Sequence, residues 1–305
     1  MSTDKPRVSI GLVVYNGEKY LRVAIDSILG QTYSDFEFII SDNASNDGTQ
    51  EICQSYRAMD NRIKYFRNTT NLGADINFNR VFELSSGEYF KWAAHDDVLA
   101  PEFLERCVEI LDQNASIVLC YPRTVMIGEN GEVIGYSSSL LGTDSPTAYE
   151  RFYNMLRVDH WCFQIFGVIR HGVLSKIKLH EPYYGSDRRM LTELCLWGKV
   201  YEFPEYLFYR RDHPLTTIRV SGGKAQNLDH FYPKERNKAW FLGLRRFLDY
   251  AGAVRRVSLN RSVRFLCYVQ LVRLVVEKSF RRVKRWVFNS IPFIDANKPG
   301  PYKFY

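Results

Sequence analysis

The chain has 305 residues, of which 46% are hydrophobic and 25% charged, so it is neither disordered nor fibrous and can form one large catalytic domain with an appendage. Its amino terminus lacks a secretory signal pattern, and the apolar stretch at 8–15 is too short to cross a membrane. Six cysteines without CxxC spacing indicate reduced thiols in a cytoplasmic protein, and the net charge of +7 suits an anionic partner.

Strands and helices alternate in the first third of the chain. Strands are predicted at 8–15, 36–41, 62–67 and 88–94, and the first intervening helix at 18–29. Repeated strand–helix units of this length predict a parallel, doubly wound sheet with right-handed crossovers.

Beyond residue 117 the pattern becomes irregular, and Asn130-Gly131 predicts a hairpin turn. The end of the chain is helical and basic. We therefore expect a catalytic domain over 1–220 and a basic helical C-terminal region over 221–305.

Two adjacent acids, Asp96 and Asp97, follow the strand at 88–94 and precede a helix predicted at 101–112, which Pro101 opens. Open α/β sheets bind ligands beyond this end of their strands. Adjacent carboxylates repel, and Mn²⁺ or Mg²⁺ would relieve the repulsion and carry substrate phosphates. The alternative is that one aspartate caps the helix while the other is solvated.

Polar and aromatic side chains follow the first two strands. Tyr15 and Asn16 come after the first strand, and Asp42 after the second. An aspartate at this rim can accept the imide N–H of a pyrimidine base, on which a tyrosine ring can stack. A turn or capping role for Asp42 is the alternative, because the segment SDNASNDG is rich in turn residues.

Four segments resemble, in order and spacing, those of a family 2 glycosyltransferase with the GT-A fold. They are VSIGLVVYNGEKYLRVAIDSILGQTYSDFEFIISDNASNDGT (8–49), NLG (71–73), SSGEYFKWAAHDDVLAPEFLE (85–105) and GSDRRMLTELCLWGKVYEFPEYLFYRRDHP (185–214). The resemblance covers about residues 7–215. It implies an α/β fold: a Rossmann-like, mostly parallel sheet flanked by helices, here with a C-terminal helical extension.

The activity implied by the resemblance is metal-dependent, inverting sugar transfer from a UDP-, dTDP- or GDP-sugar. The acceptor would be a glycan, as in polysaccharide biosynthesis, a lipid-linked oligosaccharide or a protein. Tyr15, Asn16 and Asp42 would form the nucleotide pocket. The family usually carries Asp-x-Asp-Asp, but Ala94 stands at the first acid. Asp96 is expected near the ribose and Asp97 on the metal, with Mn²⁺ or Mg²⁺ as cofactor.

Asp187 is the predicted catalytic base. A carboxylate on the acceptor side of the donor can deprotonate the attacking hydroxyl, and Asp187 stands where the family keeps its catalytic acid. Ser186 replaces the more common glutamate. Capping of the helix predicted at 188–198 is the alternative role, and Glu193 is the reserve candidate for the base.

Arg210, Arg211 and His213 follow an expected strand in LFYRRDHP. Fixed cations can stabilise the departing diphosphate, and by resemblance this segment closes over it, with His213 reaching the metal. The alternative is a solvated basic loop. The aromatic segment 160–167 is expected to form the floor of the acceptor site. For Phe163 and Phe166 the alternative is packing in the hydrophobic core.

The C-terminal region carries ten Lys/Arg and one acid, Glu277, between Arg255 and Arg285. Apolar residues at helical spacing share one face: Phe265, Val269, Val272, Val276, Phe280, Val283 and Val287. This pattern predicts peripheral attachment to an anionic membrane on its cytoplasmic face. The alternative is a helix packed on the catalytic domain. No nucleic-acid motif accompanies the charge, so no nucleic-acid partner is expected.

Two other functions remain open at this point. A sugar nucleotidylyltransferase would share sheet, metal and nucleotide, but it needs a glycine-rich phosphate loop where this chain has VVYNGEKYL. A carbohydrate-binding pseudoenzyme would explain Ala94, whereas the retention of Asp96, Asp97 and Asp187 weighs against it.

Overall fold

The computed structural model describes residues 5–214, apart from 139, 159 and 184, and residues 239–290, with the side chains of 239–242, 278, 279 and 281–290 left out. The strands are β1 (Val8–Val14), β2 (Phe36–Asp42), β3 (Ile63–Arg67), β4 (Tyr89–Ala94), β5 (Val98–Leu99), β6 (Ile117–Ile127), β7 (Val133–Ser137), β8 (Val168–Arg170) and β9 (Lys199–Arg211). The helices are α1 (Glu18–Leu29), α2 (Thr49–Met59), α3 (Ala74–Glu83), α4 (Phe103–Gln113), α5 (Ala148–Arg157), α6 (His171–Leu174), α7 (Ser186–Trp197), α8 (Ala239–Arg256) and α9 (Arg261–Ser290), and a 3₁₀ turn spans Phe163–Phe166.

The nine strands of the described residues belong to one sheet, in the order β3-β2-β1-β4-β8-β6-β9-β5, with β7 added to β6. The strands β3, β2, β1 and β4 are parallel, as the alternation of strands and helices predicts. Beyond β4 the sheet is mixed, because β8 runs antiparallel to both β4 and β6 while β9 runs parallel to β6. The irregular pattern after residue 117 therefore belongs to the same sheet.

Both faces of the central strands are covered by helices. Every residue of β1 and of β2 is buried, which is why these strands appear in the sequence as continuous apolar runs. Leu12 packs in a core with α1 and α4, whereas its neighbour Val13 packs in a second core with α3 and α7. This alternation along one strand fixes the register of the parallel half of the sheet.

The sequence predicts several element bounds closely. The helix at 18–29 is confirmed as α1, and the Asn130-Gly131 turn is confirmed between the antiparallel strands β6 and β7. Helix α4 begins at Phe103, two residues after Pro101, whose carbonyl accepts a hydrogen bond from the Thr32 N–H at 2.9 Å. Of the helices described, none is both long enough and apolar enough to cross a membrane.

The C-terminal helices α8 and α9 pack on α5 and α7. They share a third apolar cluster with these helices, to which Phe152, Leu196, Val254 and Leu271 contribute. The division at residue 220 stays a prediction, and residues 215–238 and 291–305 lie outside the described part. Within that part, the C-terminal helices have a core in common with the catalytic region.

A buried ion pair ties α8 to α7. The Glu193 side chain is fully buried, and both its oxygens accept hydrogen bonds from Arg256, at 2.8 and 2.7 Å. Arg189 on the same helix lies 3.5 Å from the carboxylate. Glu193 is thus engaged in holding the C-terminal helices and is unsuited to act as a catalytic base.

We expect Arg256→Ala to lower the free energy of unfolding by about 3 kcal/mol, because it leaves a buried carboxylate short of its main partner. This loss of stability is at the low end of the range for breaking a buried ion pair, because the Arg256 side chain is 38% exposed. Urea unfolding measures the change. Arg255→Ala, on the same exposed helix end, is the control and should stay within about 0.5 kcal/mol of the parent. Equal stability of the two variants would contradict the role of the pair.

Candidate active site

Five of the predicted site residues lie at the carboxyl ends of three neighbouring strands. Strand β1 has β2 on one side and β4 on the other, so the order of the strands reverses there. Val14 is paired with Asp42, and Val13 with Ala94. Tyr15, Asn16, Asp42 and the acid pair therefore lie at one edge of the sheet, at the switch point where open α/β sheets bind ligands.

The loops after β1 and β2 are joined to each other. Asn16, in a left-handed backbone conformation with φ 51°, accepts a hydrogen bond from the Asn46 N–H at 2.9 Å and donates its own N–H to Ser45 at 2.9 Å. Gly17 is required beside it, because a Cβ there would lie 2.7 Å from the His95 ring. Asn16 therefore builds the rim of the site, while Tyr15 presents a 45% exposed side chain next to it.

Asp42 is fully buried and accepts three interactions. Its Oδ1 accepts from the Ser45 N–H at 2.8 Å, and its Oδ2 from the Tyr65 hydroxyl at 2.9 Å, with Arg67 at 3.5 Å. The hydrogen bond to Ser45 is the turn contact that the sequence offered as the alternative role of Asp42. Recognition of the nucleotide base by Asp42 stays a prediction.

The acid pair meets the basic segment because β5 pairs with the end of β9. Val98 lies opposite Tyr209, which brings the residues before β5 against those after Tyr209. Asp97 Oδ1 accepts hydrogen bonds from the Arg211 N–H at 3.0 Å and from Arg210 Nη1 at 3.1 Å. The same Arg210 nitrogen lies 3.7 Å from Asp96 Oδ2. Arg210 therefore stands between the two carboxylates.

His213 and Arg211 support the backbone and side chain of Asp96. His213 Nε2 lies 2.9 Å from Asp96 Oδ2. Arg211 donates through Nε to the Asp96 carbonyl at 2.9 Å and through Nη1 to the carbonyls of Gly128 and Glu129. Arg211 is buried and holds the site together. Its predicted contact with the nucleotide and that of His213 with a metal stay predictions.

The two acids have different environments. Burial would raise the pKa of Asp96, but the His213 hydrogen bond and the charges of His95 and Arg210 hold it well below its usual range. Burial raises the pKa of Asp97 to about 6, and the nearby Asp96 charge acts in the same direction against the attraction of Arg210. The pair thus combines a strongly ionised carboxylate with one that lacks full compensation for its charge.

Asp97 has the free acceptor that a metal would need. Its Oδ2 is buried and meets no hydrogen-bond donor among the described residues. Within this part of the chain, no group of three or more His, Cys, Asp or Glu side chains is arranged to hold a metal ion. Mg²⁺ at phosphate-transfer sites is commonly bound by one or two carboxylates plus the substrate phosphates, so Asp97 and Asp96 fit that mode of binding.

Asp187 is the second residue of α7, after Gly185 with φ 95°. The N-cap position is held by Gly185, so Asp187 is not itself the N-cap residue of the helix. Asp187 Oδ1 instead accepts from the Arg188 N–H at 2.7 Å. Burial raises the pKa of Asp187, while Arg188, the Cys162 thiol and Arg246 act in the opposite direction. The carboxyl is therefore a stronger base than an exposed aspartate.

The aromatic segment divides between surface and core. Phe163 and Phe166 pack against the core as expected, whereas Trp161 is 58% exposed. Only Trp161 of these three offers a broad face to a sugar, and its role in acceptor binding stays a prediction.

Three residues near Asp187 were not singled out from the sequence: Asp75, Cys162 and Arg246. Burial, together with the Asp187 charge, raises the pKa of Asp75, at the start of α3, to about 7. The Arg246 guanidinium of α8 lies beside Gly185, where a Cβ would approach it to 3.3 Å. These residues converge through packing of distant elements, so no local sequence signal marks them.

Comparison with known proteins decides the family. The family described as glycosyl transferase family 2 matches residues 9–181. The chain belongs to this family. The match agrees with the resemblance drawn from the motifs, and it favours a glycosyltransferase over the nucleotidylyltransferase and pseudoenzyme alternatives.

Relatives of this family 2 glycosyltransferase occur in archaea and bacteria. An uncharacterized glycosyltransferase of Methanocaldococcus jannaschii is 37% identical over 241 residues, which cover 75% of this chain and 78% of the relative. An uncharacterized glycosyltransferase of Haemophilus influenzae is 29% identical over 228 residues, which cover 70% of this chain and 68% of the relative. One of Rickettsia typhi is 30% identical over 225 residues, 72% of this chain but only 61% of that protein.

Solved structures of low sequence identity share the fold. TarS of S. aureus, residues 1–349 in complex with UDP-GlcNAc, has a TM-score of 0.54 at 17% identity, covering 90% of this chain and 92% of that one. A mannosyltransferase from Pyrobaculum calidifontis in complex with GDP-Man and Mn²⁺ has a TM-score of 0.50 at 16% identity, covering 90% and 87%. The GT-A fold expected from the motifs is confirmed.

Proposed function

We propose that this family 2 glycosyltransferase is a metal-dependent, inverting enzyme that transfers a sugar from a UDP-, dTDP- or GDP-sugar to a glycan, lipid-linked or protein acceptor. The observation that carries the proposal is the buried Asp97 carboxylate at the switch point of the sheet, one oxygen of which meets no donor in the described part of the chain. The relatives bound to UDP-GlcNAc and to GDP-Man with Mn²⁺ support a nucleotide-sugar donor and a divalent metal.

The reaction is a single displacement at the anomeric carbon. Asp187 accepts the proton of the acceptor hydroxyl while that oxygen forms the new glycosidic bond. The bond from the anomeric carbon to the diphosphate breaks, the diphosphate leaves with the electron pair, and the configuration inverts. The half-buried position of Asp187 favours proton uptake, because burial destabilises its charged form.

Charge on the leaving diphosphate has two partners in this site. Arg210 supplies a fixed guanidinium beside the acid pair. Mn²⁺ or Mg²⁺ bound at Asp97, with Asp96 towards the ribose, would add a second positive charge to the same oxygens. Tyr15 and Asp42 are suited to the base, at the ends of β1 and β2.

A donor panel tests this proposal. The full-length protein is screened by thermal shift against UDP-, dTDP- and GDP-sugars with Mn²⁺ and with chelator, since a ligand of the native state raises the unfolding temperature. The proposal predicts stabilisation by a nucleotide sugar that requires Mn²⁺, followed by release of the nucleoside diphosphate. Stabilisation without any release of diphosphate would instead favour a carbohydrate-binding protein without catalysis.

The exposed apolar stripe of α9 supports attachment to an anionic membrane. Phe265, Val269, Val272, Val276 and Phe280 are exposed, Phe265 by 66% and Phe280 by 73%. The helix packs on α5 through a different face, which contains Cys267, Leu271 and Leu274. The alternative, in which the stripe itself packs on the catalytic region, disagrees with this exposure. Val283 and Val287 lie outside the side chains described.

We propose that an anionic lipid surface covers this stripe, because the same helix is rich in Lys and Arg. Each engaged cation contributes on the order of 1 kcal/mol near such a surface. The protein is therefore expected at the cytoplasmic face of a membrane.

Vesicle co-sedimentation should show binding to phosphatidylcholine vesicles only when they contain phosphatidylglycerol. We expect the binding to weaken as salt rises towards about 1 M, where charges are screened within about 3 Å. A Phe265→Ser, Phe280→Ser double variant should lose binding, whereas Ile134→Ser, at an exposed apolar residue of β7, should not. Retained binding by the double variant would remove the membrane proposal. A change in its oligomeric state would assign the stripe to a second copy of the chain.

A further inference from the structure

The loop between α6 and α7 leads directly into Asp187, and its first part is anchored by two helices of the catalytic region. Arg189 of α7 is almost fully buried and donates from Nη1 to the Lys178 carbonyl at 2.6 Å. Asn79 of α3 donates from Nδ2 to the His180 carbonyl at 2.9 Å, and its Oδ1 accepts from the His180 N–H at 3.0 Å. The loop therefore has a fixed path up to the residues that precede α7.

The end of the loop is held by the C-terminal helix α8. The Tyr183 side chain is fully buried, and its hydroxyl donates to Asp249 Oδ2 at 2.8 Å. Burial and this hydrogen bond raise the pKa of Tyr183 well above its usual range, so the hydroxyl keeps its proton and remains the donor. The Arg245 guanidinium lies over the Tyr183 ring, 4.2 Å from its centroid, and 4.0 Å from Asp249 Oδ2. Tyr183 thus lies between a carboxylate and a cation of the same helix.

The Tyr183 backbone is joined to the first turn of α7. Its carbonyl accepts a hydrogen bond from the Ser186 N–H at 3.2 Å, and Ser186 is the residue before Asp187. Gly185, which lies between them, is the N-cap residue of the helix and has φ 95°. The place of Asp187 at the start of α7 therefore depends on where Tyr183 is fixed.

We propose that Tyr183 and Asp249 are positioning residues for Asp187: their hydrogen bond fixes the start of α7, so that α8 sets where the carboxylate meets the acceptor hydroxyl. The inference rests on the proposed role of Asp187 as the base. A displacement of a reacting group by about 1 Å can cost about 10²-fold in rate, so a distant hydrogen bond of this kind affects catalysis. The C-terminal helices thereby contribute to the reaction as well as to the apolar cluster that they share with α5 and α7.

Tyr153 provides a matched control. Its hydroxyl donates to Glu277 Oε1 at 2.8 Å, and the Arg273 guanidinium lies over its ring at 4.6 Å. This hydrogen bond joins α5 to the C-terminal helix α9, but it lies outside the segment that leads into Asp187. Tyr153→Phe therefore removes an equivalent hydrogen bond without acting on the start of α7.

The test compares Tyr183→Phe, Asp249→Ala and Asp249→Asn in the full-length protein. Turnover is measured as release of nucleoside diphosphate from UDP-, dTDP- and GDP-sugars with Mn²⁺, and donor affinity by calorimetry. We expect Tyr183→Phe and Asp249→Ala to lower turnover about 10-fold or more with donor affinity unchanged, because the donor is expected on other elements. Asp249→Asn keeps an oxygen that can accept from the Tyr183 hydroxyl and should restore most of the turnover. Tyr153→Phe should keep the turnover of the parent.

The Asp187→Asn background shows whether the effect passes through Asp187. Tyr183→Phe should cost little further turnover there, because the carboxylate that it positions is already absent. Equal losses in the two backgrounds would overturn the inference, as would parental turnover in both Tyr183→Phe and Asp249→Ala. Turnover retained by Asp187→Asn itself would instead overturn the proposed base, so the two failures are distinguishable.

Amide hydrogen exchange, followed by NMR, tests the positioning without an assay of activity. The Ser186 and Arg189 amides are hydrogen-bonded to the carbonyls of Tyr183 and Gly185. We expect their exchange to be roughly 5-fold faster in Tyr183→Phe and unchanged in Tyr153→Phe. Parental exchange rates in Tyr183→Phe would mean that the start of α7 is fixed without the hydroxyl, and the inference would be wrong.

Discussion

Asp187→Asn lowers turnover by about 10²-fold or more and leaves donor affinity nearly unchanged. The amide keeps the shape of the side chain and cannot accept the acceptor proton. The donor is expected at the acid pair and the nucleotide rim, on other elements, so its binding does not depend on Asp187. Turnover is measured as release of nucleoside diphosphate, and donor affinity by calorimetry with Mn²⁺.

Asp75→Asn is the comparison variant for this experiment. Asp75 is also half-buried, with a pKa raised by burial and by the charge of Asp187, but it lies at the start of a different helix. We expect a smaller loss of turnover than in Asp187→Asn. The reverse order of effects would transfer the role of base to Asp75.

Asp97→Ala abolishes the metal dependence of donor binding and weakens that binding by about 10²-fold or more. Even residues that only support a metal ligand cost 10- to 100-fold when they are replaced, and Asp97 is the proposed ligand itself. Thermal shift with the donor, with Mn²⁺ or chelator, measures the effect. The unfolding temperature without ligand is needed as well, because the variant leaves the half-buried Arg210 with Asp96 as its one remaining partner in the acid pair.

Glu88→Gln is the matched control, since Glu88 precedes the opposite end of the same strand, β4, and pairs with Arg7 at 3.2 Å. It should retain the metal dependence of the parent. If donor binding to the parent protein is indifferent to chelator, Asp97 has another role and the metal proposal is wrong.

The parallel half of the fold is predictable from the sequence because its signal is local. Strands buried on both faces give continuous apolar runs, and the helices between them give amphipathic ones, so β1, α1 and β2 appear nearly at their true bounds. Strand β5 has two residues and no such signal. It exists because β9 provides a partner for its backbone, which only the folded chain reveals.

The site divides in the same way. The order of strands along the chain predicts that acids following parallel strands lie at the same edge of the sheet. Asp42, Asp96 and Asp97 are predictable in this way. Contacts such as that of Arg210 with Asp97 join elements far apart in the chain and leave no local trace. Helix α9 is predictable only in part. Its apolar stripe can be recognised from the sequence, but the helix packs on α5 through another face, and only the tertiary structure shows which of the two faces is buried.

Arg210 has a consequence for how this enzyme meets its donor. A guanidinium already lies within 3.7 Å of one carboxylate and 3.1 Å of the other. The acid pair therefore has a counterion supplied by the chain itself. On the proposed role of Arg210, arrival of the donor would exchange its partners, because the diphosphate would attract the guanidinium away from the two acids. Part of the donor's binding energy would then offset the loss of the contacts between Arg210 and the acids. A ligand without a phosphate group would offer the arginine no new partner and should bind more weakly.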